Sequence, residues 1–209
     1  QQTTDLADLL IHAGFSAAAL NGDMEQVERD LAVLRFANQS CSILVATDVA
    51  ARGLDIKELP AVINYDLAFE QDVHIHRVGR TGRAGHKGLA LSLTTTKDAL
   101  RIIAIEEQQD HPITWGNVNE LTTDGLSIPL PEMVTFCLAS GKKDKIRPGD
   151  ILGALTKDAG LPGDMIGKIN ITTFHSYVAI HRSQANKAHQ YLQAGKLKGR
   201  SVYVRMIAP

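Results

Sequence analysis

The sequence predicts an α/β domain followed by a smaller α+β domain, and three observations support this. Over the first half, apolar runs without polar alternation are separated by amphipathic helices, typical of a parallel sheet with helices on both faces. Over the second half, alternating strands and helices follow the order βαββαβ, which favours one antiparallel sheet with both helices on one face. Prolines and glycines cluster between the halves, so we place domains at 1–112 and 132–209 and a linker at 113–131.

The first domain opens with a helix. Leu6, Leu9, Leu10 and Ala13 recur at helical spacing, and Gly14 can end the helix. The other elements predicted for this domain are strands at 17–20, 42–47, 61–66 and 89–95 and helices at 24–38 and 72–79. Ligands bind at the carboxyl ends of strands in such sheets, so we expect a site in the loops that follow them.

The second domain has half-exposed strands. Its predicted elements are strands at 133–140, 168–172, 177–180 and 201–207 and helices at 151–160 and 185–192. Alternation along the strands turns Lys168, Tyr177 and Arg205 away from the helices. These side chains are therefore expected on an open face of the sheet.

The net charge of −1 hides an uneven distribution. Residues 1–125 hold 10 Lys and Arg against 18 Asp and Glu, a net charge of −8, whereas residues 126–209 hold 12 against 5, a net charge of +7. A basic half joined to an acidic half indicates that the second domain faces a polyanion. The alternative is that its basic character serves solubility alone.

Composition argues against several classes of protein. No apolar run approaches the roughly 18 residues that a membrane-spanning helix needs, and the first residues do not resemble a signal peptide. Cys41 and Cys137 have no CxxC partner, so we interpret both as thiols in a reducing cytosol. We expect a cytoplasmic protein with no membrane partner. Because a helical pattern begins almost at residue 1, we also expect a piece of a longer protein.

The segment HRVGRTGRAG, residues 76–85, places Arg77, Arg80 and Arg83 close together. Arginines repel one another unless an anion lies among them, so this segment indicates an anionic ligand. His74 and His76 have a spacing that could suit a metal, but no third ligand is evident, and we expect no metal site.

Two further segments accompany the arginines, NGDMEQVERD at 21–30 and LVATDVAARGLD at 44–55. In this order and at this spacing the three segments resemble the second RecA-like lobe of the DEAD-box RNA helicases. The basic half contains GKKDKIRPGDILGAL and GKINI, and it resembles the C-terminal RNA-binding domain of the DbpA subgroup, a relative of the RNA recognition motif (RRM). The resemblance covers essentially the whole chain.

The resemblance implies that ATP binds between two lobes, with Mg²⁺ held by the first lobe. It places Arg80 and Arg83 at the γ-phosphate as catalytic arginines, and Gly53 and Asp55 at the nucleotide. Planar guanidinium groups suit phosphate oxygens, and an arginine in this role contributes roughly 10³–10⁵-fold to the rate of phosphoryl transfer. The alternative for these arginines is a structural ion pair with an acid such as Asp48 or Asp55.

The resemblance also implies RNA contacts in the first domain. It places Gly22, Arg29 and Thr47 at the sugar–phosphate backbone, and Arg52 where RNA and inter-lobe contacts are organised. Gln26 belongs to the same motif as Arg29. The alternative interpretation is that Gln26 occupies an ordinary position on a helix surface.

A dense run of cations in one loop of the second domain predicts a phosphate-binding element. Its members are Lys142, Lys143, Lys145 and Arg147. The open-face residues Lys168, Tyr177 and Arg205 complete the predicted RNA-binding set. Tyr177 is the only aromatic residue of HSYVAIHR, which argues against a run of bases stacked on the sheet. The resemblance implies instead a structured partner, a hairpin of large-subunit ribosomal RNA. A solvated lysine loop is the alternative.

The sequence contains neither GxxxxGK[ST] nor a DEAD segment. The resemblance assigns both to the first lobe, so we expect this piece alone not to hydrolyse ATP. In the intact protein we expect an ATP-dependent RNA helicase that unwinds short duplexes locally during large ribosomal subunit assembly. The strand that opens the second lobe in the family would precede Gln1, and the sheet edge left there could permit self-association. The alternatives are an RNA-binding module with a catalytically inert helicase-like scaffold lobe, and a protein-interaction module.

Overall fold

A computed structural model describes residues 1–54, 56, 59–82, 87–109 and 112–207. The chain divides into two compact units, one formed by Gln1–Ala51 with Ser127–Pro209 and the other by Arg52–Leu126. Within the described ranges, no helix is both long enough and apolar enough to cross a membrane.

The first part of the first unit contains two parallel strands and three helices. Its elements are α1 (Gln2–His12), β1 (Ala17–Leu20), α2 (Gln26–Ala37), β2 (Ile43–Ala46) and α3 (Asp48–Ala51). Gly14 follows α1 with a left-handed φ of 95°, a conformation that favours glycine after a helix. The Glu25 amide donates to the Glu28 carboxylate at 3.2 Å and starts α2 with a capping box. Because β1 and β2 are parallel, their carboxyl ends lie at one edge of the sheet.

The second part of this unit is the βαββαβ domain. Its elements are β5 (Met133–Leu138), α6 (Pro148–Gly153), β6 (Ile166–Ile171), β7 (Ser176–His181), α7 (Ala185–Ala194) and β8 (Val204–Met206). The four strands form one antiparallel sheet in the order β6-β7-β5-β8. Its core contains the large, fully buried side chains of Phe136, Leu138, Ile151, Leu155, Val178 and Ile180.

The second unit carries the arginine segment. Its elements are β3 (Ala61–Asn64), α4 (Gln71–Val78), β4 (Leu89–Ser92) and α5 (Ala99–Gln108). β3 and β4 are parallel. Gly88 lies against the turn after α4, because a β-carbon there would clash with the Gly82 nitrogen. A glycine is therefore needed for the chain to enter β4 at this place.

The predicted fold class is confirmed, with parallel strand pairs among helices followed by the βαββαβ sheet. The sequence prediction omitted α5, although ALRIIAIEEQ is rich in helix-forming residues. Leu100 and Ile103 of α5 are exposed, so the helix does not present one clear buried stripe. The last strand is shorter than predicted and begins at Val204.

Candidate functional site

The arginine segment is anchored to the end of β3. The Arg77 guanidinium donates to the Asn64 side-chain oxygen at 3.1 Å and to the Asp66 carbonyl at 2.7 Å. Asn64 is itself buried, and its amide donates to the Ser92 hydroxyl at 3.0 Å on the neighbouring strand β4. Arg77 therefore has a structural role in fixing α4 against the β3–β4 pair.

Arg80 connects two of the sequence motifs. Its guanidinium donates to the Leu54 carbonyl at 3.0 Å, in the loop of LVATDVAARGLD. The Leu59 amide donates back to the Arg80 carbonyl at 3.0 Å, and the Thr81 hydroxyl donates to the Leu59 carbonyl. The structure thus brings Arg80 beside the loop that contains Gly53, whose φ of 78° favours glycine.

Two predicted residues of this site, Asp55 and Arg83, lie outside the described residues. Nearby, burial lowers the pKa of His74, and the charge of Arg77 lowers it further. His74 is therefore neutral near pH 7. Among the residues that the structure describes, no group of three or more His, Cys, Asp or Glu side chains could hold a metal ion.

Gly22 and Thr47 follow β1 and β2 at the same edge of the sheet. The buried Asn21 amide donates to the Thr3 and Thr4 hydroxyls at 2.9 and 3.2 Å and fixes the turn. Among the described residues, no atom lies within 4 Å of a β-carbon built on Gly22, so its surface is open there. The Thr47 amide donates to the Leu20 carbonyl, and its hydroxyl accepts from the Ala50 amide at 3.3 Å. This edge exposes backbone and a hydroxyl where a ligand can approach.

Arg29 lies on α2 and is half-buried. Its Nε atom is buried and has no hydrogen-bond partner in the part of the chain that the structure describes. The Gln26 amide donates to the Asp30 carboxylate at 2.6 Å along the same helix, which favours the helix-surface interpretation of Gln26. Arg52 is exposed at the start of the second unit.

The loop that carries the predicted cations is fixed on the turn between β6 and β7. The Lys142 and Lys143 amides donate to the Thr172 and Thr173 carbonyls at 2.9 and 3.1 Å. A β-carbon on Gly141 would lie 2.6 Å from the Thr172 oxygen, so the two backbones approach as closely as glycine allows. We call residues 141–147 the lysine loop.

The Asp144 carboxylate and the Lys198 ammonium hold the backbone of the lysine loop. The Gly141 amide and Ser140 hydroxyl both donate to Asp144 at 3.1 Å, and these bonds, with the charge of Arg200, hold the pKa of Asp144 below its usual range. Lys198 donates to the Lys145 carbonyl at 2.7 Å. The four predicted cations of the loop, Lys142, Lys143, Lys145 and Arg147, are all exposed. Charged side chains are thus presented to solvent from a fixed backbone.

Two aromatic residues beside the lysine loop were not predicted. Phe174 is 58% exposed, and the Lys143 ammonium lies 4.3 Å from its ring centroid. The His175 ring is tilted against Tyr177, with 6.4 Å between the centroids. The sequence signal was the pair Phe-His in the turn of TTFHSY, where turns usually carry small polar residues.

The three predicted RNA-binding residues of the sheet differ from one another in exposure. Lys168 and Arg205 are exposed on the edge strands β6 and β8. Tyr177 is half-buried on β7, directly opposite Cys137 on β5. Burial raises the pKa of Tyr177, and the neighbouring Cys137 thiol raises it further. Tyr177 therefore does not stand free as a stacking platform.

Comparison with known proteins connects these sites to a family. Residues 1–85 match the family model of the helicase conserved C-terminal domain, and residues 135–206 match that of the DbpA RNA binding domain. The chain belongs to the DEAD-box RNA helicases of the DbpA type, and the resemblance inferred from the motifs is confirmed.

Relatives match over nearly the whole chain. The ATP-dependent RNA helicase DbpA of Escherichia coli (strain K12) is 46% identical over 202 residues, which are 97% of this chain and 44% of that protein. The DbpA of Bacillus subtilis (strain 168) is 32% identical over 224 residues, 98% of this chain and 47% of that protein. The chain thus spans less than half the length of these relatives.

A solved structure shares the fold of part of this chain. It is the E. coli DEAD-box protein SrmB bound to regulator of ribonuclease activity A, with a TM-score of 0.53 and 38% identity. The similarity covers 61% of this chain and 75% of that chain.

Proposed function

We propose that this chain supplies the second half of an ATP-dependent RNA helicase that acts on structured RNA. One contact carries the proposal. The Arg80 guanidinium donates to the Leu54 carbonyl at 3.0 Å and so joins the arginine segment to the loop that contains Gly53. A guanidinium has five N–H donors, so this bond orients Arg80 and leaves donors for a phosphate.

In this proposal Arg80 and Arg83 stabilise the charge that develops on the terminal phosphate of ATP, and Gly53 and Asp55 contact the nucleotide. Bound Mg²⁺ would neutralise phosphate charge during transfer. The sequence contains no GxxxxGK[ST] and no DEAD segment, so the first lobe of the helicase must provide the phosphate loop and the Mg²⁺ ligands. The chain by itself would not turn over ATP.

We assign the edge formed by Gly22 and Thr47, together with Arg29, to the RNA backbone, and we assign Arg52 to the organisation of RNA and inter-lobe contacts. An open glycine lets a sugar–phosphate chain come close, a hydroxyl can donate to a phosphate oxygen, and arginine supplies charge. Contacts of this kind hold RNA without reading its sequence. They suit an enzyme that must act on many duplexes.

We assign the lysine loop to a structured RNA, a hairpin of large-subunit ribosomal RNA. Residues 126–209 carry a net charge of +7, and the loop presents exposed cations from a fixed backbone. Each phosphate neutralised by such a cation releases counterions and adds affinity. Lys168 and Arg205 extend the basic surface along the edge strands. This domain, at 132–209, would tether the lobe at 1–112 through the linker 113–131. The cytoplasmic helicase would then act on duplexes near the hairpin during ribosome assembly.

The experiment measures RNA-stimulated ATP turnover in the chain joined to the amino-terminal part of the E. coli relative. Arg80→Ala and Arg83→Ala should each lower turnover by about 10³-fold or more, because each removes charge that stabilises the transition state. Arg101→Ala is the matched control, since Arg101 pairs with Asp98 at 3.1 Å on the surface and should leave turnover unchanged.

Hairpin affinity, measured on the same proteins, should not change in any of the three variants. If the unsubstituted fusion binds the hairpin but shows no ATP turnover, the lobe is a scaffold, and the alternative of an RNA-binding module applies. If turnover persists in Arg83→Ala with unaltered kinetics, the assignment of the arginines is wrong.

A further inference from the structure

Phe174 places an aromatic ring in water in the tight turn that joins β6 to β7. The residue is 58% exposed, so it lies outside the buried core of the RNA-binding domain. An apolar side chain that stays in water contributes little to the free energy of folding. Stability of the domain therefore does not account for a ring at this position, and we consider what ligand the ring can bind.

The turn holds the backbone of Phe174 in one conformation. The Thr172 amide and hydroxyl both donate to the His175 carbonyl, at 2.8 and 2.9 Å, and the His175 amide donates to the Thr172 hydroxyl at 3.1 Å. The buried Ser176 hydroxyl then donates to the Ser140 carbonyl at 2.6 Å and fastens the turn beside the lysine loop. Because the backbone is already ordered, little conformational entropy is lost when a ligand contacts Phe174.

The lysine loop places positive charge at this ring. The Lys143 ammonium lies 4.3 Å from the ring centroid of Phe174, within the range of a cation–π contact. The Lys143 amide also donates to the Thr173 carbonyl at 3.1 Å, so the backbones that carry the cation and the ring are joined directly. An ammonium covers at most one face of a ring, and the exposed fraction of Phe174 shows that the ring stays accessible. A ligand here meets an aromatic surface and a cation together.

A nucleotide has the two chemical features that this surface fits. Its base stacks on aromatic rings, and its phosphate binds ammonium groups. The bases of a duplex are already paired and stacked, so only an unpaired nucleotide can turn its base toward a protein ring. An apolar protein partner fits less well, because lysine is depleted from protein–protein interfaces, whereas this ring lies in a region, residues 126–209, with a net charge of +7.

We propose that Phe174 stacks on an unpaired base in the loop of the RNA hairpin, while Lys143 contacts a phosphate of the same strand. The inference rests on the proposed function and deepens it. Phosphate contacts position an RNA without reading its bases, whereas a stacked base requires an unpaired nucleotide at a fixed place. Phe174 therefore makes the domain prefer a hairpin over a continuous duplex of the same charge.

Phe174→Leu tests the stacking, because it keeps an apolar side chain and removes the aromatic face. Its affinity for the ribosomal hairpin should fall by about tenfold or more, with an unchanged dependence on salt. Its affinity for a blunt duplex of the stem sequence should stay within about twofold of that of the unsubstituted chain. Phe174→Tyr and Phe174→Trp should retain hairpin binding, since both keep a ring. The matched control, Trp115→Leu, removes an exposed ring from the linker and should change neither affinity.

A double-mutant cycle identifies the stacked base. Each nucleotide of the hairpin loop is replaced in turn by an abasic one, and affinities are measured for the unsubstituted chain and for Phe174→Leu. At one position the missing base should weaken binding to the unsubstituted chain by about tenfold and have no further effect on Phe174→Leu, because the stack is already lost. Losses that add at every loop position overturn the proposal, because the ring and the bases then act independently.

Three other results would also overturn the stacking. Equal losses of Phe174→Leu on hairpin and blunt duplex, with a salt slope lower by about 1, would mean that the ring only positions Lys143 for a phosphate. Unchanged hairpin affinity in Phe174→Leu, with binding still weakened by loss of the three lysines at 142, 143 and 145, removes the stacking and leaves the proposed function intact. If the unsubstituted chain binds neither RNA, the proposed function fails and the stacking fails with it.

Discussion

The RNA-binding domain and the second unit, Arg52–Leu126, bury apolar side chains to very different extents. The domain encloses Phe136 and Ile180 completely, whereas Ile63, Phe69 and Leu89 of the second unit are more than half exposed. A domain that closes its own core is stable without help, whereas apolar strands left in water gain little from folding. The difference indicates that the domain is the stable anchor of the chain and that the arginine segment lies on the more easily opened part.

The largest expected effect concerns two isoleucines in strand positions. Ile180→Ala removes a side chain that is 0% exposed and should lower the free energy of unfolding by about 2–5 kcal/mol. Ile63→Ala, at a position that is 62% exposed, should lower the free energy of unfolding by less than about 1 kcal/mol. Urea denaturation followed by the tyrosine and tryptophan signals measures both. Equal costs at the two positions would contradict the difference in stability between the regions.

The next effect separates RNA binding from folding. Changing Lys142, Lys143 and Lys145 together to Ala should weaken hairpin binding by about tenfold or more. If each lysine contacts one phosphate, as proposed, the slope of log K against log salt should fall by about 2–3. Filter binding at several salt concentrations measures both quantities.

The matched control for the lysine loop changes three exposed lysines elsewhere, Lys97, Lys157 and Lys187. It alters the net charge equally but leaves the loop intact, so it should weaken binding far less. Equal losses in the two triple variants would mean that net charge alone attracts RNA.

The smallest expected effect is on acid stability. The pKa of Asp144 lies below its ordinary value in the folded protein, chiefly because the Gly141 amide donates to it. Asp144 therefore contributes stability above the ordinary aspartate pKa of about 3.9, and this contribution is lost as the pH falls through the folded value. Asp144→Asn should make the melting temperature less dependent on pH between about pH 5 and 3. Asp164→Asn, at an exposed position of the same domain, should retain the wild-type dependence.

Local patterns were sufficient to predict the fold class and the motifs. The βαββαβ order follows from alternation and helical spacing, and the lysine loop from a run of charge within six residues. Long-range contacts were not predictable in this way. Thr135 alternates with apolar neighbours and so resembles a solvent-facing residue, and only the tertiary structure reveals that Asn38 and Ser40 cover it. Phe174 was missed for a related reason, because its neighbour Lys143 comes from another loop.

The most direct test of the central proposal is a titration of this chain with two RNA hairpins of equal length, one from large-subunit ribosomal RNA and one unrelated. The measurement is made at two salt concentrations, since charge alone gives affinity that falls steeply with salt. Recognition of a particular hairpin by this domain, beyond attraction of charge, predicts a preference of about 100-fold or more for the ribosomal hairpin that persists at the higher salt. Equal affinity for both hairpins, lost together as salt rises, would contradict it.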